Sequence, residues 1–128
     1  MSLPRAYLEH VAIRVKDIDW HVSFFRDVLG LGIRDQKPAD GAVPRQVWIE
    51  GGVQLISDPK FDGPEARCAH LGVMVEDMAG VLARAAAFGA TALPAGPNWL
   101  VLPDGLNVEI LQASGNAVAA ALAINPRA

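Results

Sequence analysis

The sequence predicts an α+β fold, in which two paired βαβββ modules form a curved, mostly antiparallel sheet cup with the helices outside. Three observations predict it: an internal repeat offset by about 60 residues, apolar residues that alternate along the segment opening each half, and a helical apolar stripe that follows an aspartate in both halves. The 128 residues fall within the usual range for one domain, so we expect a single domain that contains both modules.

The repeat is clearest where each half begins. His10 and His70 occupy equivalent positions, and an aspartate follows each histidine by seven residues. The ends of the halves also match, because GVQLI at 52–56 aligns with NVEIL at 107–111. Chance supplies one such match easily, but several matches in the same order indicate a repeated module.

Each half is expected to form a strand, a helix and then further strands. Asp17 and Asp77 are good helix N-caps, and Gly30 and Gly89 are placed to end the two helices. The expected bounds are module one at about 7–57, a linker at 58–67, module two at about 68–113 and a tail at 114–128 that includes a short helix. The expected strands are 8–15, 31–35, 45–50, 53–57, 69–75, 91–94, 98–102 and 106–112, and the expected helices are 19–29 and 78–88.

The composition argues against several classes of protein. Acidic residues number 14 against 11 basic ones, and no basic stripe is interleaved with aromatic residues, so no nucleic-acid partner is expected. The sequence has no apolar run of about 18 residues and no signal-peptide pattern, so we expect no membrane association and a cytoplasmic location. The single cysteine, Cys68, excludes an internal disulfide and is expected to be a small filler residue.

Four polar side chains stand where the pattern of a core predicts apolar ones. Side chains alternate between the two faces of a strand, so the apolar neighbours of each residue face the helix while the polar residue faces the other way. Each of the four lies on the first or last strand of a module, and we expect them to converge inside the cup. They are His10, Gln54, His70 and Glu109.

These donors together suit one divalent metal ion, with Zn²⁺, Ni²⁺, Co²⁺, Mn²⁺ and Fe²⁺ as the candidates. Taken singly, a histidine at a strand start is more often structural than a ligand, and a glutamate between apolar residues most often faces solvent. The joint pattern favours metal, because both histidines share one repeat position while Gln54 and Glu109 share another. His21 has no counterpart in the repeat and is expected to be a surface residue.

The motifs resemble those of the vicinal oxygen chelate superfamily, which includes glyoxalases, bleomycin resistance proteins and dioxygenases. Segments 8–19 (LEHVAIRVKDID) and 23–31 (SFFRDVLGL) are similar to its first module. Segment 69–77 (AHLGVMVED) is similar to the start of its second module, and 103–111 (PDGLNVEIL) to the strand that carries its glutamate ligand. The resemblance covers about 7–112 and implies that a metal ion is presented to two adjacent oxygens of a substrate or intermediate.

Within the superfamily, the His/Gln/His/Glu set is similar to those of glyoxalase I and methylmalonyl-CoA epimerase, which implies a metal-dependent lyase or isomerase acting on a small molecule. There the metal stabilises an enediolate or enolate while a base moves a proton next to a carbonyl. Glu109 would then be both ligand and catalytic base. Arg14 resembles the arginine that binds a glutathione carboxylate in glyoxalase I, but Asp58 stands where that enzyme has a glutathione-binding asparagine, which argues against glutathione.

Two other branches of the superfamily remain open. Fe(II) dioxygenases share the His/His/Glu triad but also need a histidine and a tyrosine, for which only His21 and Tyr7 are spare. Bleomycin-binding members hold no metal and bind drug in an aromatic-lined groove. Trp48 and Trp99 would line such a groove here, although tryptophans in strands are more often core residues. Relatives often pair modules across a dimer, so a homodimer is expected.

Overall fold

The computed structural model describes residues 3–28, 31–63, 67–103 and 105–125. Within them the chain forms eight strands and three helices, and the order strand, helix, three strands occurs twice before a terminal helix. The elements are β1 (Ala6–Val15), α1 (Ile18–Asp27), β2 (Ile33–Lys37), β3 (Gln46–Ile49), β4 (Val53–Ser57), β5 (Cys68–Val75), α2 (Met78–Ala87), β6 (Thr91–Leu93), β7 (Gly96–Val101), β8 (Asn107–Gln112) and α3 (Ala117–Leu122).

The strands form an open, mostly antiparallel sheet in the described part of the chain. Hydrogen bonds link them in the order β2-β3-β4-β1-β5-β8-β7-β6. The first and last strands of each half pair in parallel, β1 with β4 and β5 with β8. The neighbouring pairs β2–β3, β3–β4, β6–β7 and β7–β8 are antiparallel. The predicted α+β class with two βαβββ modules is confirmed.

Two compact units divide the chain, one consisting of His10–His70 and the other of Met1–Glu9 with Leu71–Ala128. Both boundaries fall inside strands, so β1 and β5 each contribute residues to both units. The predicted single domain, with a change of module in the linker 58–67, stays a prediction.

Backbone hydrogen bonds place β1 beside β5 in each unit separately. In the unit His10–His70, the amide of Arg14 donates to the carbonyl of Arg67 over 2.8 Å. In the other unit, the amide of Glu76 donates to the carbonyl of Arg5 over 3.0 Å. These bonds satisfy backbone groups that would otherwise be left unpaired beside the two strands.

The apolar core of the unit His10–His70 lies between α1 and the strands β1, β3 and β4. Fully burying an aliphatic side chain of this kind stabilises a fold by about 1.5–3 kcal/mol. The strand residues alternate as predicted, so that Gln54 lies between two core positions. The buried core residues are Val15, Ile18, Val22, Val47, Ile49 and Leu55, with Ile13, Phe25, Leu31 and Val53 packed against them.

A second core joins α2 to β5, β7 and β8 in the other unit. Here too the apolar strand residues alternate, and Glu109 lies between two core positions as the sequence predicts. The buried residues are Val75, Leu100, Val108 and Ile110, with Val73, Met78, Val81, Leu82, Ala85, Ala90 and Leu102 packed against them.

The helix starts follow the sequence closely. The carboxylate of Asp17 accepts a hydrogen bond from the amide of Trp20, and that of Asp77 accepts one from the amide of Gly80, each over 3.1 Å. Gly89 follows α2 with φ at +96°, a left-handed conformation that suits glycine. Gly30, the expected end of the first helix, lies outside the described residues.

Several element bounds differ from the prediction. Helix α1 ends at Asp27, with the amide of Val28 donating to the carbonyl of Phe24, whereas the predicted end at 29 lies outside the described residues. Strand β1 begins at Ala6 instead of 8, and β7 begins at Gly96 instead of 98 because a tight turn from Leu93 pairs those two residues. The expected terminal helix is present as α3. Cys68 is exposed at the start of β5, so it does not fill space in a core as expected.

Among the helices of the described segments, none has the length and apolar character needed to cross a membrane.

Candidate metal centre

Two buried histidine rings face each other in the unit His10–His70. His10 on β1 is 3% exposed and His70 on β5 is 8% exposed. Their Nε2 atoms are 3.0 Å apart, and the rings meet edge to face with centroids 5.1 Å apart. Buried polar groups need partners, and here one imidazole nitrogen meets the other. The structure therefore brings together the two histidines that the repeat makes equivalent.

Gln54 lies on the same sheet face as His10. In the parallel pair of β1 and β4 it is directly opposite Ala12, which follows His10 by two residues and shares its face. Gln54 is 4% exposed, and its Nε2 atom donates to the Oε1 atom of Gln46 over 2.8 Å. Because the amide nitrogen donates to Gln46, the amide oxygen is the atom of Gln54 that can bind a ligand.

Glu109 has the corresponding position in the other half of the sequence. In the parallel pair of β5 and β8 it is directly opposite Gly72, which follows His70 by two residues in the same strand. Glu109 is half-buried, while its neighbours Val108 and Ile110 belong to the core with α2. The carboxylate therefore lies on the sheet face turned away from α2, as the alternation predicts.

Each tryptophan of the predicted groove lies beside one of the predicted ligands. Trp48 on β3 is directly opposite Gln54, and Trp99 on β7 is directly opposite Glu109. Directly opposed residues of antiparallel strands share a face, so each half-buried indole lies on the face of its predicted ligand and not in a helix-covered core. The ammonium of Lys37 lies 5.7 Å from the centre of the Trp48 ring.

Arg14 also lies on the face of β1 that carries His10. It is half-buried and directly opposite Ile56 of β4. Its position four residues after His10 corresponds to about 13 Å along a strand. Its backbone carbonyl accepts a hydrogen bond from the guanidinium of Arg67 over 3.1 Å, which ties this part of β1 to the segment before β5.

Two features of the unit His10–His70 have no counterpart in the sequence prediction. Gln46 contacts Gln54 from the neighbouring strand, and its only signal in the sequence is a polar residue at a strand position. A cleft of about 410 Å³ in the unit His10–His70 includes His21, which is half-buried. The cleft is lined by Lys16, His21, Phe61, Asp62, Gly63 and Arg67.

Comparison with known proteins identifies a family for most of the chain. Residues 10–110 match the model of the glyoxalase-like domain family, a range that includes all four predicted metal ligands. The uncharacterized protein YwbC of Bacillus subtilis (strain 168) is 25% identical over 121 residues, covering 82% of this chain and 96% of that protein.

Solved structures show the same fold at lower sequence identity. Hypothetical protein BH1468 from Bacillus halodurans C-125 superposes with a TM-score of 0.64 at 14% identity, covering 86% of this chain and 96% of that chain. Methylmalonyl-CoA epimerase from Mycobacterium tuberculosis superposes with a TM-score of 0.62 at 19% identity, covering 88% of this chain and 91% of that chain. A Streptomyces coelicolor methylmalonyl-CoA epimerase in complex with 2-nitronate-propionyl-CoA gives a TM-score of 0.62 at 18% identity, covering 85% and 95%. With its paired βαβββ modules and its match over residues 10–110, this chain belongs to the glyoxalase-like domain family of the vicinal oxygen chelate superfamily.

Proposed function

We propose that this protein is a metal-dependent lyase or isomerase of the glyoxalase type, which moves a proton next to a carbonyl group of a small substrate. The observation that carries the proposal is the pair of buried imidazoles, whose Nε2 atoms are 3.0 Å apart. Two histidines buried this deeply, on strands whose neighbours supply an amide and a carboxylate on the same face, are typical of a metal site.

The donor set fits a divalent transition ion. Metal–nitrogen bonds to histidine are about 2.0–2.1 Å long, so one ion can contact two nitrogens that lie 3.0 Å apart. The proposed ligands are the two imidazoles, the carboxylate of Glu109 and the amide oxygen of Gln54. With Zn²⁺, Ni²⁺, Co²⁺, Mn²⁺ or Fe²⁺, this set has a net charge of about +1.

The chemistry follows from these groups. A bound divalent ion supplies Lewis acidity, which stabilises negative charge that develops on a substrate oxygen. The carboxylate of Glu109 accepts the proton from the carbon next to the carbonyl and is the proposed catalytic base. Trp48 and Trp99, each opposite a proposed ligand in register, bind the apolar part of the substrate. Arg14, which follows His10 by four residues on the same strand face, binds an anionic group of the substrate.

The structural neighbours support a carbonyl substrate. Solved structures with this fold include methylmalonyl-CoA epimerases, and one of them binds 2-nitronate-propionyl-CoA. A fold of this kind therefore accommodates an acyl-CoA. For this chain we propose a small, anionic, oxygen-rich substrate with an acidic proton next to its carbonyl group.

The first test measures metal content. Protein prepared without chelator and reloaded with Zn²⁺, Ni²⁺ or Mn²⁺ should hold about one ion per chain, and His10→Ala or His70→Ala should lose most of it. His21→Ala is the matched control, because this histidine lines the separate cleft and should leave metal content unchanged. If no metal binds in stoichiometric amount, the enzyme proposal is wrong, and a metal-free ligand-binding protein that uses Trp48 and Trp99 becomes the better explanation.

The second test measures proton transfer directly. Metal-loaded protein in D₂O is incubated with 2-oxo thioesters, hemithioacetals and 2-methyl-branched acyl-CoAs, and deuterium at the α-carbon is followed by NMR. Exchange with at least one compound is expected, and it should disappear in Glu109→Gln protein that retains metal. Absence of exchange, together with oxygen consumption on catechols in the presence of Fe²⁺, would instead assign the protein to the dioxygenase branch.

We also propose a homodimer that acts in the cytoplasm. The terminal strands β2 and β6 of the open sheet leave backbone groups available for pairing, and all residues of β2 are exposed. Helix α1 adds an exposed apolar stripe, in which the rings of Trp20 and Phe24 stack with centroids 5.4 Å apart next to exposed Val28. Both features favour a second copy of the chain as partner.

A further inference from the structure

Gln54 is the proposed ligand whose donor atom depends on its orientation. A carboxylate offers an oxygen on either side, as Glu109 does, whereas an amide offers an oxygen on one side and a non-ligating NH₂ group on the other. A rotation of the Gln54 amide by half a turn would point NH₂ at a metal ion and abolish the bond. A glutamine ligand therefore needs a neighbour that fixes the direction of its amide.

Gln46 contacts Gln54 in the required way. The two residues lie on the antiparallel strands β3 and β4, where Gln46 is directly opposite Ile56 and so diagonal to Gln54 on the same face. The Nε2 atom of Gln54 donates to the Oε1 atom of Gln46 over 2.8 Å. The amide nitrogen of Gln46 in turn donates to the backbone carbonyl of Pro44 over 3.5 Å, a long hydrogen bond.

The backbone carbonyl of Pro44 determines which group donates and which accepts in each of these hydrogen bonds. A carbonyl can only accept, so Gln46 must turn its NH₂ group toward Pro44 and its oxygen toward Gln54. Gln54 must then offer its own NH₂ group to that oxygen, which leaves its Oε1 atom pointing away from Gln46. Reversal of the Gln54 amide would bring two amide oxygens together at 2.8 Å and leave a polar pair unsatisfied at a position that is 4% exposed.

The side-chain oxygen of Gln54 has no hydrogen-bond partner among the residues that the structure describes. Within the described ranges, the side chain of Gln54 makes no hydrogen bond other than the one to Gln46, and no fully enclosed side-chain oxygen or nitrogen lacks a partner. Its Oε1 atom is therefore not fully enclosed by protein atoms. At Trp99, which holds the place of Trp48 in the second half, the residue two positions earlier is Pro97, which has no side-chain hydrogen-bonding group.

On the basis of the metal site proposed above, we propose that Gln46 is a positioning residue, which holds the amide oxygen of Gln54 toward the metal ion. Gln46 does not touch the substrate or the ion and acts through Gln54. Residues that hydrogen-bond to a metal-binding side chain and fix its orientation contribute about 10- to 100-fold to metal affinity in other sites. We expect a loss of that size when the acceptor at position 46 is removed.

The experiment compares three variants by metal competition titration. Gln46→Met keeps the length of the side chain but has no acceptor of comparable strength, and it should weaken metal binding about 10- to 100-fold. Gln46→Glu keeps an oxygen acceptor for the amide of Gln54 and should bind metal at least as tightly as the natural protein. Gln46→Met in a Gln54→Glu background should cost much less than in the natural protein, because a carboxylate at position 54 needs no orientation.

A second measurement reports on the amide itself without metal. In ¹⁵N-labelled apo-protein, the side-chain NH₂ protons of Gln54 should be protected from solvent exchange by the bond to Gln46, and Gln46→Met should remove the protection. Equal metal affinity of Gln46→Met and natural protein, or an equal loss in both backgrounds, would overturn the role of Gln46 while leaving the metal site intact. Absence of metal binding by the natural protein would instead overturn the proposed function and, with it, this role.

Discussion

Leu55→Ala tests the packing that holds β4, the strand of the proposed ligand Gln54, in place. Leu55 is 0% exposed and packs in the core with α1, whereas the adjacent Gln54 lies on the opposite face. The substitution deletes buried carbon atoms and leaves a cavity that surrounding strands cannot readily fill, at a cost of about 3–4 kcal/mol. Domains of this size have a free energy of unfolding of about 5–15 kcal/mol, so the loss is a large fraction of the total. The melting temperature should fall by roughly 10 °C or more.

The assay is urea unfolding followed by circular dichroism, with Leu8→Ala as the matched control. Leu8 is also a strand leucine but is 55% exposed, so its replacement should change the free energy of unfolding by no more than about 0.5 kcal/mol. Below its melting temperature, Leu55→Ala protein should still bind metal, because the cavity lies on the face away from Gln54. A cost similar to that of Leu8→Ala would refute the assigned core, and loss of metal binding by the folded variant would refute the separation of the two faces.

The remaining predictions concern helix capping and assembly. Asp17→Ala should lower the free energy of unfolding by about 1 kcal/mol, because the amide of Trp20 loses its acceptor. Asp62→Ala, a control in the cleft, should change the free energy of unfolding little. Equal effects of the two substitutions in chemical denaturation would contradict the capping role. Sedimentation at micromolar concentration should give a mass near twice the chain mass of 13.6 kDa, and a clean monomer would rule out the homodimer.

Much of the fold can be predicted because it depends on local patterns. Asp17 and Asp77 begin helices for reasons contained in the residues around them, since a carboxylate caps the amide three positions later. Alternation of apolar residues likewise predicts which side of each strand meets a helix, and Leu55 and Ile110 lie in the cores as expected. The repeat also shows, from the sequence alone, that His10 and His70 occupy equivalent positions.

Other parts of the site depend on strand register, which the sequence does not specify. The contact between Gln46 and Gln54 requires that β3 and β4 pair with Trp48 opposite Gln54, and a shift by one residue would move Gln46 to the other face. The same applies to Trp99, whose position beside Glu109 follows from the pairing of β7 with β8. Composition favours tryptophan as a core residue, whereas register places Trp48 opposite Gln54 and Trp99 opposite Glu109, on the faces turned away from the helices.

The parallel pairing of the first and last strands in each half has a kinetic consequence. Val11 pairs with Val53, 42 residues later in the chain, and Leu71 pairs with Val108, 37 residues later. Closing such loops costs chain entropy before the new contacts can offset that cost. These pairings are therefore expected to form late, and the fold is expected to assemble in milliseconds to seconds. Gln54 and Glu109 are carried by the strands that close the loops. His10 and His70 are themselves 60 residues apart, so a partly folded chain would hold none of the proposed donors together, and tight capture of a metal ion would be among the last events of folding.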